Sequence, residues 1–112
     1  MGVKRKFKVA YFPEVREFLI GLDPKARDKI LYNIDKVSYV IDPKLFKKLE
    51  DTDIWEFRTL YNNKQYRLLA FWDKTEGVDT LVVATHGFIK KTDKTPLKEI
   101  EKASNIMKEY FK

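Results

Sequence analysis

The side chains of this sequence that are suited to chemistry are arginine, lysine, glutamate and a single histidine, and they gather in its second half. Arg58 follows Glu56 by two residues, Arg67 interrupts an apolar run, and His86 precedes a lysine-rich segment. A planar guanidinium matches phosphate oxygens, and histidine has an unperturbed pKa that suits proton transfer near neutral pH. This set favours phosphoryl chemistry on RNA, because RNA supplies its own nucleophile, the 2′-hydroxyl.

Arg67 is the most informative of these residues, because it lies in the strand-like run 66–72. Strand parity places its side chain on the same face as Leu69 and Phe71. An unpaired buried charge is costly, so the guanidinium must either form an ion pair or line a cleft. A pair with Glu56 across a hairpin and a phosphate clamp both meet this requirement, and the sequence leaves both open.

Glu56 and Arg58 share one strand face, which allows Arg58 to join Arg67 in binding a phosphate. Glu56 is a candidate base or an orienting partner for the arginines, although a cross-strand salt bridge is the simpler interpretation. His86 is predicted to end a strand just before Gly87. A lone histidine in that position more often packs or hydrogen-bonds than reacts.

The segment after His86 combines an aromatic ring with cations. Aromatic rings stack bases of single-stranded RNA while basic side chains contact its backbone. The simpler interpretation is a solvated turn with Phe88 in the core. The candidate residues here are Phe88, Lys90, Lys91, Thr92 and Lys94.

Several kinds of site are excluded by composition. With no cysteine and one histidine, zinc ligation by His and Cys is ruled out. The four glycines are widely spaced and form no phosphate-binding loop, so we expect no metal and no cofactor. The net charge of +6 indicates a polyanionic or acidic partner, or serves solubility alone.

The chain is predicted to form one α/β (α+β) domain, residues 1–112, in the order β-α-α-β-β-β-α. The prediction rests on alternating apolar residues for strands, on period 3.6 for helices, and on Asp23-Pro24 and Thr95-Pro96 as helix starts. The strands are expected over 6–12, 54–60, 65–72 and 80–84, the last three as an antiparallel meander, and the helices over 13–21, 24–41 and after Pro96. Residues 45–49 are expected to cross over, and 61–64 and 73–77 to turn. We expect the helices on one face of the sheet, leaving the other face or the rim for a site.

No apolar run approaches the roughly 18 residues that span a bilayer. Residues 1–8 are basic, but the apolar stretch that follows the basic start of a signal peptide is missing after them. These features predict a soluble protein of the cytoplasm, which the absence of cysteine fits.

Motifs in a fixed order resemble the RelE/ParE toxin superfamily, most closely its phage-derived HigB-like branch. The resemblance covers the C-terminal two-thirds of the chain. The motifs are Trp55-Glu56-Phe57-Arg58, Tyr66-Arg67-Leu68-Leu69-Ala70-Phe71, His86-Gly87-Phe88-Ile89-Lys90-Lys91-Thr92 and Thr95-Pro96.

The resemblance implies a RelE fold and the toxin half of a type II toxin–antitoxin pair. Many such toxins cleave mRNA, often on the ribosome and without a metal, and the antitoxin is usually a small helix-turn-helix protein. By motif, Arg58 and Arg67 bind the scissile phosphate. The proton-transfer groups implied are His86 or Glu56 as base and Lys90 or Lys91 as acid, with Phe88, Thr92 and Lys94 as RNA-binding residues. RelE proteins have lysines in the strand where this chain has Ile54 and Glu56, so proton-transfer roles do not carry across there.

Two other functions fit the same sequence. A ParE-like toxin poisons gyrase and performs no RNA chemistry, and the cluster of His86 with Lys90 and Lys91 argues mildly against it. An inactive module that only binds nucleic acid or an antitoxin is the third hypothesis. Cleaved mRNA, inhibited supercoiling or binding without either effect distinguishes the three.

Overall fold

The protein forms a five-stranded sheet with three helices. Its computed structural model describes residues 4–75 and 80–112. In chain order the elements are β1 (Lys8–Tyr11), α1 (Pro13–Ile20), α2 (Pro24–Tyr39), β2 (Phe46–Lys48), β3 (Trp55–Tyr61), β4 (Lys64–Asp73), β5 (Leu81–Lys90) and α3 (Leu97–Tyr110). The strand order across the sheet is β1-β5-β4-β3-β2. β1 runs parallel to β5, and the other neighbours are antiparallel.

The local signals at the starts of α1 and α2 and at the hairpin turn are confirmed. The Asp23 carboxylate accepts a hydrogen bond from the backbone N–H of Lys25 at 3.0 Å, as a cap of α2 should. Gly21 ends α1. Asn62 and Asn63 have φ of 50° and 62°, the left-handed conformation that asparagine tolerates, and they join β3 to β4. The predicted turn 73–77 lies partly outside the described residues.

Residues 45–49 were predicted to be a plain crossover, and this prediction is wrong. The segment contains the short strand β2. Phe46 is fully buried there and pairs with Phe57 of β3. Their rings stack with centroids 4.3 Å apart. A strand this short carries too little alternation to be recognised from sequence, and the burial of Phe46 holds it on the sheet edge.

The strand predicted to end near His86 continues to Lys90. Its pairing with β4 is interrupted by a bulge, since Ala70 faces Ala84 while Leu69 faces His86, which leaves Thr85 unmatched. The Thr85 hydroxyl donates to the carbonyl of Leu69 at 3.2 Å. A bulge shifts the alternation by one residue, which hides the second half of the strand from a period-2 pattern.

The prediction that the helices cover one sheet face is wrong. α1 and α2 pack on one face in a cluster that includes Leu68 and Ala70 of β4. Ala103 of α3 packs with Leu69 and Phe71, whose side chains point the opposite way. The sheet is therefore a middle layer, because both of its faces carry apolar residues that need cover. None of the helices in the described parts of the chain is long and apolar enough to cross a membrane.

Candidate functional site

Charged residues occupy the end of the α3-covered face that α3 itself leaves open. Arg58 of β3 lies directly opposite Arg67 of β4. Glu56 of β3 is two residues away on the same face, and Phe88 of β5 lies opposite Arg67 on its other side. The predicted common face of Glu56, Arg58 and Arg67 is thus confirmed, because strand register alone fixes it.

Glu56 is the buried centre of this group, with 3% of its surface exposed. Its Oε1 lies 3.3 Å from Nε of Arg67 and 3.5 Å from Nε of Arg58. Neither Nε has a hydrogen-bond partner, so both contacts are ion pairs. The hydroxyl of Thr95 donates to the second oxygen of Glu56. One carboxylate therefore holds both arginines and the loop before α3.

The two arginines differ in how far they are open to a ligand. Arg67 is 4% exposed, and its terminal nitrogens donate to the carbonyl of Tyr66 at 3.1 Å and to Oε1 of Gln65 at 2.5 Å. Burial lowers the pKa of Arg67. The Arg58 side chain is 31% exposed. Arg58 is thus the more accessible of the two guanidinium groups, whereas the outer nitrogens of Arg67 are occupied by contacts within the protein.

Lys90, the last residue of β5, adds a third cation to this group. It pairs with Gln65 in the sheet register. Its pKa is lowered, first by burial and then by the positive charge of Arg67. A lysine with a lowered pKa gives up its proton more readily than a solvated one. Lys90 thus lies within electrostatic reach of both arginines and holds its proton less tightly than a solvated lysine.

His86 is buried, with 2% of its surface exposed. Its Nδ1 lies 2.9 Å from the hydroxyl of Thr85, and its Nε2 lies 3.2 Å from the Glu99 carboxylate of α3. Burial, followed by the charge of Lys102, lowers the pKa of His86, whereas the bond to Glu99 raises it. The structure thus places His86 between the β5 bulge and the first turn of α3, with both ring nitrogens occupied.

The remaining predicted residues lie at the end of β5 and in the loop after it. Phe88 is half-buried, packs against the α3 cluster and has its ring centroid 6.1 Å from that of His86. Lys91, Thr92 and Lys94 are exposed. The Thr92 hydroxyl donates to the carbonyl of Lys94 at 2.7 Å. In the part of the chain that the structure describes, none of these residues is hydrogen-bonded or ion-paired to Glu56.

Two clefts meet at Gln65. The first, the α2 cleft, has a volume of about 510 Å³ and lies between α2, the loop after it and the ends of β3 and β4. Its charged lining residues are Lys29, Lys36, Asp42, Lys44, Arg58 and Arg67. The second, the β4–β5 cleft, has a volume of about 670 Å³ and is lined by Asn63, Lys64, Gln65, Ile89, Lys90, Lys91, Thr92 and Asp93. The arginine pair thus lies next to one cleft and Lys90 next to the other.

Sequence reasoning missed several residues of this site. Gln65 and Thr95 act through contacts with Arg67 and Glu56 that only the fold creates. Thr95 was expected to cap α3, but α3 begins at Leu97 without a side-chain cap, and the hydroxyl bonds Glu56 instead. One signal was present: Lys29 and Lys36 are seven residues apart on α2, which places them on one helix face.

The arrangement has the electrostatics of an anion site. Arg58, Arg67 and Lys90 carry positive charge around the single carboxylate of Glu56, which leaves a surplus of positive charge at the mouth of both clefts. Guanidinium groups beside a protonated amine can bind a phosphate and offset charge that grows on its oxygens. Among the described residues, no group of three or more histidine, aspartate or glutamate side chains is placed to hold a metal ion.

Comparison with known protein families gives a match over most of the chain. The sequence profile of the family described as phage-derived protein Gp49-like (DUF891) matches residues 17–108. This range begins in α1 and extends into α3, so it contains the arginine pair, Lys90 and both clefts. No curated protein matches the chain.

Proposed function

We propose a ribonuclease function for this chain, which belongs to the phage-derived Gp49-like family, a family of RelE-like toxins. The family is related to toxin–antitoxin systems and implies an antitoxin partner. The proposed activity is metal-independent cleavage of mRNA in the cytoplasm, either as free RNA or on the ribosome, and the proposed partner is a helix-turn-helix antitoxin. We also propose that the chain belongs to the HigB-like branch of the RelE/ParE superfamily.

The observation that carries this proposal is the arginine pair on Glu56. Arg58 and Arg67 face each other across β3 and β4, and Glu56 fixes both Nε atoms at 3.5 and 3.3 Å. A guanidinium whose inner nitrogen is fixed has its outer nitrogens preorganised for an oxyanion, and this applies to Arg58, whose side chain is 31% exposed. The outer nitrogens of Arg67 are bonded to Tyr66 and Gln65, so Arg67 contributes its positive charge. A cationic pair that lines a cleft suits a scissile phosphate better than it suits a flat protein surface.

The proposed reaction is an in-line displacement at phosphorus. The 2′-oxygen of one nucleotide forms a bond to the adjacent phosphorus, and the bond from phosphorus to the 5′-oxygen of the next nucleotide breaks. The products are a 2′,3′-cyclic phosphate and a 5′-hydroxyl. Arg58 and Arg67 offset the negative charge of the pentacoordinate phosphorus, and the ammonium of Lys90 protonates the leaving 5′-oxygen.

The proton of the 2′-hydroxyl passes to solvent in this proposal. Glu56 and His86, the two candidate bases expected from sequence, are both buried. Glu56 is engaged by three partners and His86 by two. Glu56 therefore serves as the positioning residue of the arginines, and His86 positions the start of α3. Lys91, which is exposed, contributes charge for RNA binding.

An Arg58→Ala variant tests the site directly. The purified protein is incubated with RNA alone and with translating ribosomes, and the RNA ends are mapped. We expect wild-type protein to leave cyclic phosphate and 5′-hydroxyl ends, and Arg58→Ala to reduce the cleavage rate by about 10²- to 10³-fold, the usual cost of losing one charge-stabilising donor. Arg16→Ala, an exposed arginine of α1 that lines neither cleft, is the matched control.

Three results contradict the proposal. If Arg58→Ala cleaves at the wild-type rate, the site is wrong. If wild-type protein leaves RNA intact but inhibits DNA supercoiling, the chain acts as a gyrase poison. If it arrests neither growth nor supercoiling and only binds RNA or antitoxin, it is an inactive binding module.

A further inference from the structure

We propose that the α2 cleft is a subsite for single-stranded RNA and binds nucleotides on one side of the cleaved phosphate. The inference rests on the ribonuclease function proposed above and extends it to substrate length and orientation. The cleft borders Arg58 and Arg67 directly, because both arginines line it. An RNA strand with a phosphate at Arg58 must leave the pair in two directions, and the α2 cleft is one of the two exits.

The charge of the cleft suits a chain of phosphates. Lys29 and Lys36 of α2 and Lys44 of the following loop line its outer part, where all three are exposed. The acidic lining residue, Asp42, uses its carboxylate to accept a hydrogen bond from the backbone N–H of Lys44 at 2.9 Å. The Asp42 carboxylate is thus held by the backbone of the turn, while the three lysine side chains are exposed to solvent.

An exposed aromatic ring lies among these lysines. Tyr32 is 61% exposed and lines the cleft. Nζ of Lys29 lies 5.5 Å from the centroid of its ring. A ring kept in solvent beside cations is the arrangement on which single-stranded RNA stacks a base while its backbone is held by charge. An acidic peptide would use the lysines equally well but would have no need of the exposed ring.

The cleft keeps a fixed position relative to the arginine pair. Nδ2 of Asn33, in the floor of the cleft, donates to the hydroxyl of Thr59 at 3.1 Å, and this bond is buried. Asn33 follows Tyr32 on α2, and Thr59 follows Arg58 on β3. The bond therefore ties the ring and the arginine to one frame, as a continuous binding surface requires.

The test measures RNA binding and cleavage in charge-reversed variants of the full chain. The probe for binding is a fluorescein-labelled 2′-O-methyl oligoribonucleotide of mixed sequence that spans both clefts and cannot be cleaved. For Lys29→Glu with Lys36→Glu we expect affinity to fall by about tenfold or more, and the slope of log affinity against log salt to decrease in magnitude by about 1.4, the value for two lost phosphate contacts on a single strand. In cleavage, KM for a long RNA should rise with little change in kcat.

The matched control carries the same change of charge elsewhere. Lys25→Glu with Lys108→Glu alters two exposed lysines that line neither cleft, and we expect less than a threefold effect on affinity, with the salt slope kept. Tyr32→Ala should weaken binding, and Tyr32→Phe should restore it, because only the ring is required. An oligonucleotide too short to leave the arginine pair should be cleaved equally by wild type and Lys29→Glu with Lys36→Glu.

Several outcomes overturn the inference. If the two double lysine variants lose RNA affinity equally, the effect comes from the net charge of the protein and not from the α2 cleft. Unchanged RNA binding with weakened binding of an acidic protein would assign the cleft to a protein partner. Because the probe is not cleaved, a wild-type protein that binds it through the α2 cleft but cleaves no RNA defeats the ribonuclease function and leaves the subsite standing, so the two failures are distinguishable.

Discussion

Glu56 determines what each arginine of the site can do. It takes the Nε of both, but the two side chains differ in exposure, 4% for Arg67 and 31% for Arg58. A buried ion pair costs much to break, whereas a half-exposed one contributes little to folding. The ion pair of Arg67 should therefore contribute more to folding stability than that of Arg58. Substitutions at the two positions should separate activity from stability.

We expect Arg67→Ala to lower the free energy of unfolding by about 3 kcal/mol, because it removes the closer of the two cations paired with a buried carboxylate. Arg58→Ala should change the free energy of unfolding by less than about 1 kcal/mol, since its pair is partly solvated. Urea denaturation of both variants checks this. Equal destabilisation by the two substitutions would show that Glu56 does not distinguish its partners.

The lowered pKa of Lys90 predicts the shape of the pH–rate profile. If solvent accepts the 2′-hydroxyl proton, kcat/KM rises with pH, and it stops rising where Lys90, the proposed acid, loses its proton. Because burial and Arg67 lower that pKa, the plateau should begin below the ordinary lysine value of 10.5. Lys90→Arg should move the plateau to higher pH, and Lys91→Arg should leave it in place. A plateau that begins at the same pH in wild type and in Lys90→Arg contradicts the assignment.

At the scale of elements, β5 organises the site. Its bulge at Thr85 turns His86 toward Glu99 of α3, and its last residue supplies Lys90. Gly87, between them, lets α1 approach the opposite side of the strand, where the ring of Phe18 lies over it. β5 thus positions α1 on one face of the sheet and residues of the site on the other face.

A Gly87→Ala substitution should destabilise the fold by about 1–3 kcal/mol, the usual cost of overpacking. The added Cβ would lie 2.7 Å from Cε2 of Phe18. Gly21→Ala is the control, because its Cβ would meet only carbonyl oxygens at 3.7 Å. Thermal unfolding measures both. The double substitution Phe18→Leu with Gly87→Ala should recover part of the loss, and no recovery would mean that the clash is not the cause.

At the scale of the whole molecule, α3 closes the second face of the sheet and joins the core to the site. Its apolar side packs on Leu69 and Phe71 through Ala103. Its start is held by Glu99 on His86, and the loop before it by Thr95 on Glu56. Loss of the α3 contacts would therefore release both the buried histidine and the carboxylate of the arginine pair.

The buried His86 predicts that stability falls in mild acid. Its pKa in the folded protein is lower than the ordinary 6.5, chiefly by burial. The unfolded chain therefore binds a proton first as pH falls through 6.5, and the free energy of unfolding decreases until the folded pKa is reached. Urea denaturation near pH 7.5 and near pH 5.5, about one unit on either side of 6.5, should show a larger decrease for wild type than for His86→Gln. Equal decreases would assign the effect to other groups.

Much of this architecture is determined by local sequence. Asp23-Pro24 starts α2, Asn62-Asn63 makes the hairpin turn, and period 2 places Arg67 with Leu69 and Phe71, because each of these signals depends on neighbours along the chain. Strand register then sets Arg58 opposite Arg67, so the arginine pair could be predicted without a structure.

Only the tertiary structure decided the rest. The bulge at Thr85 extended β5 through His86, the burial of Phe46 created β2, and the second sheet face drew α3 to the side opposite α1 and α2. The α2 cleft likewise depends on how α2 packs beside β3. Residue types and spacing identify which groups can bind a phosphate. Which of them stay open to solvent depends on packing between segments far apart in sequence, and local patterns carry no information about that.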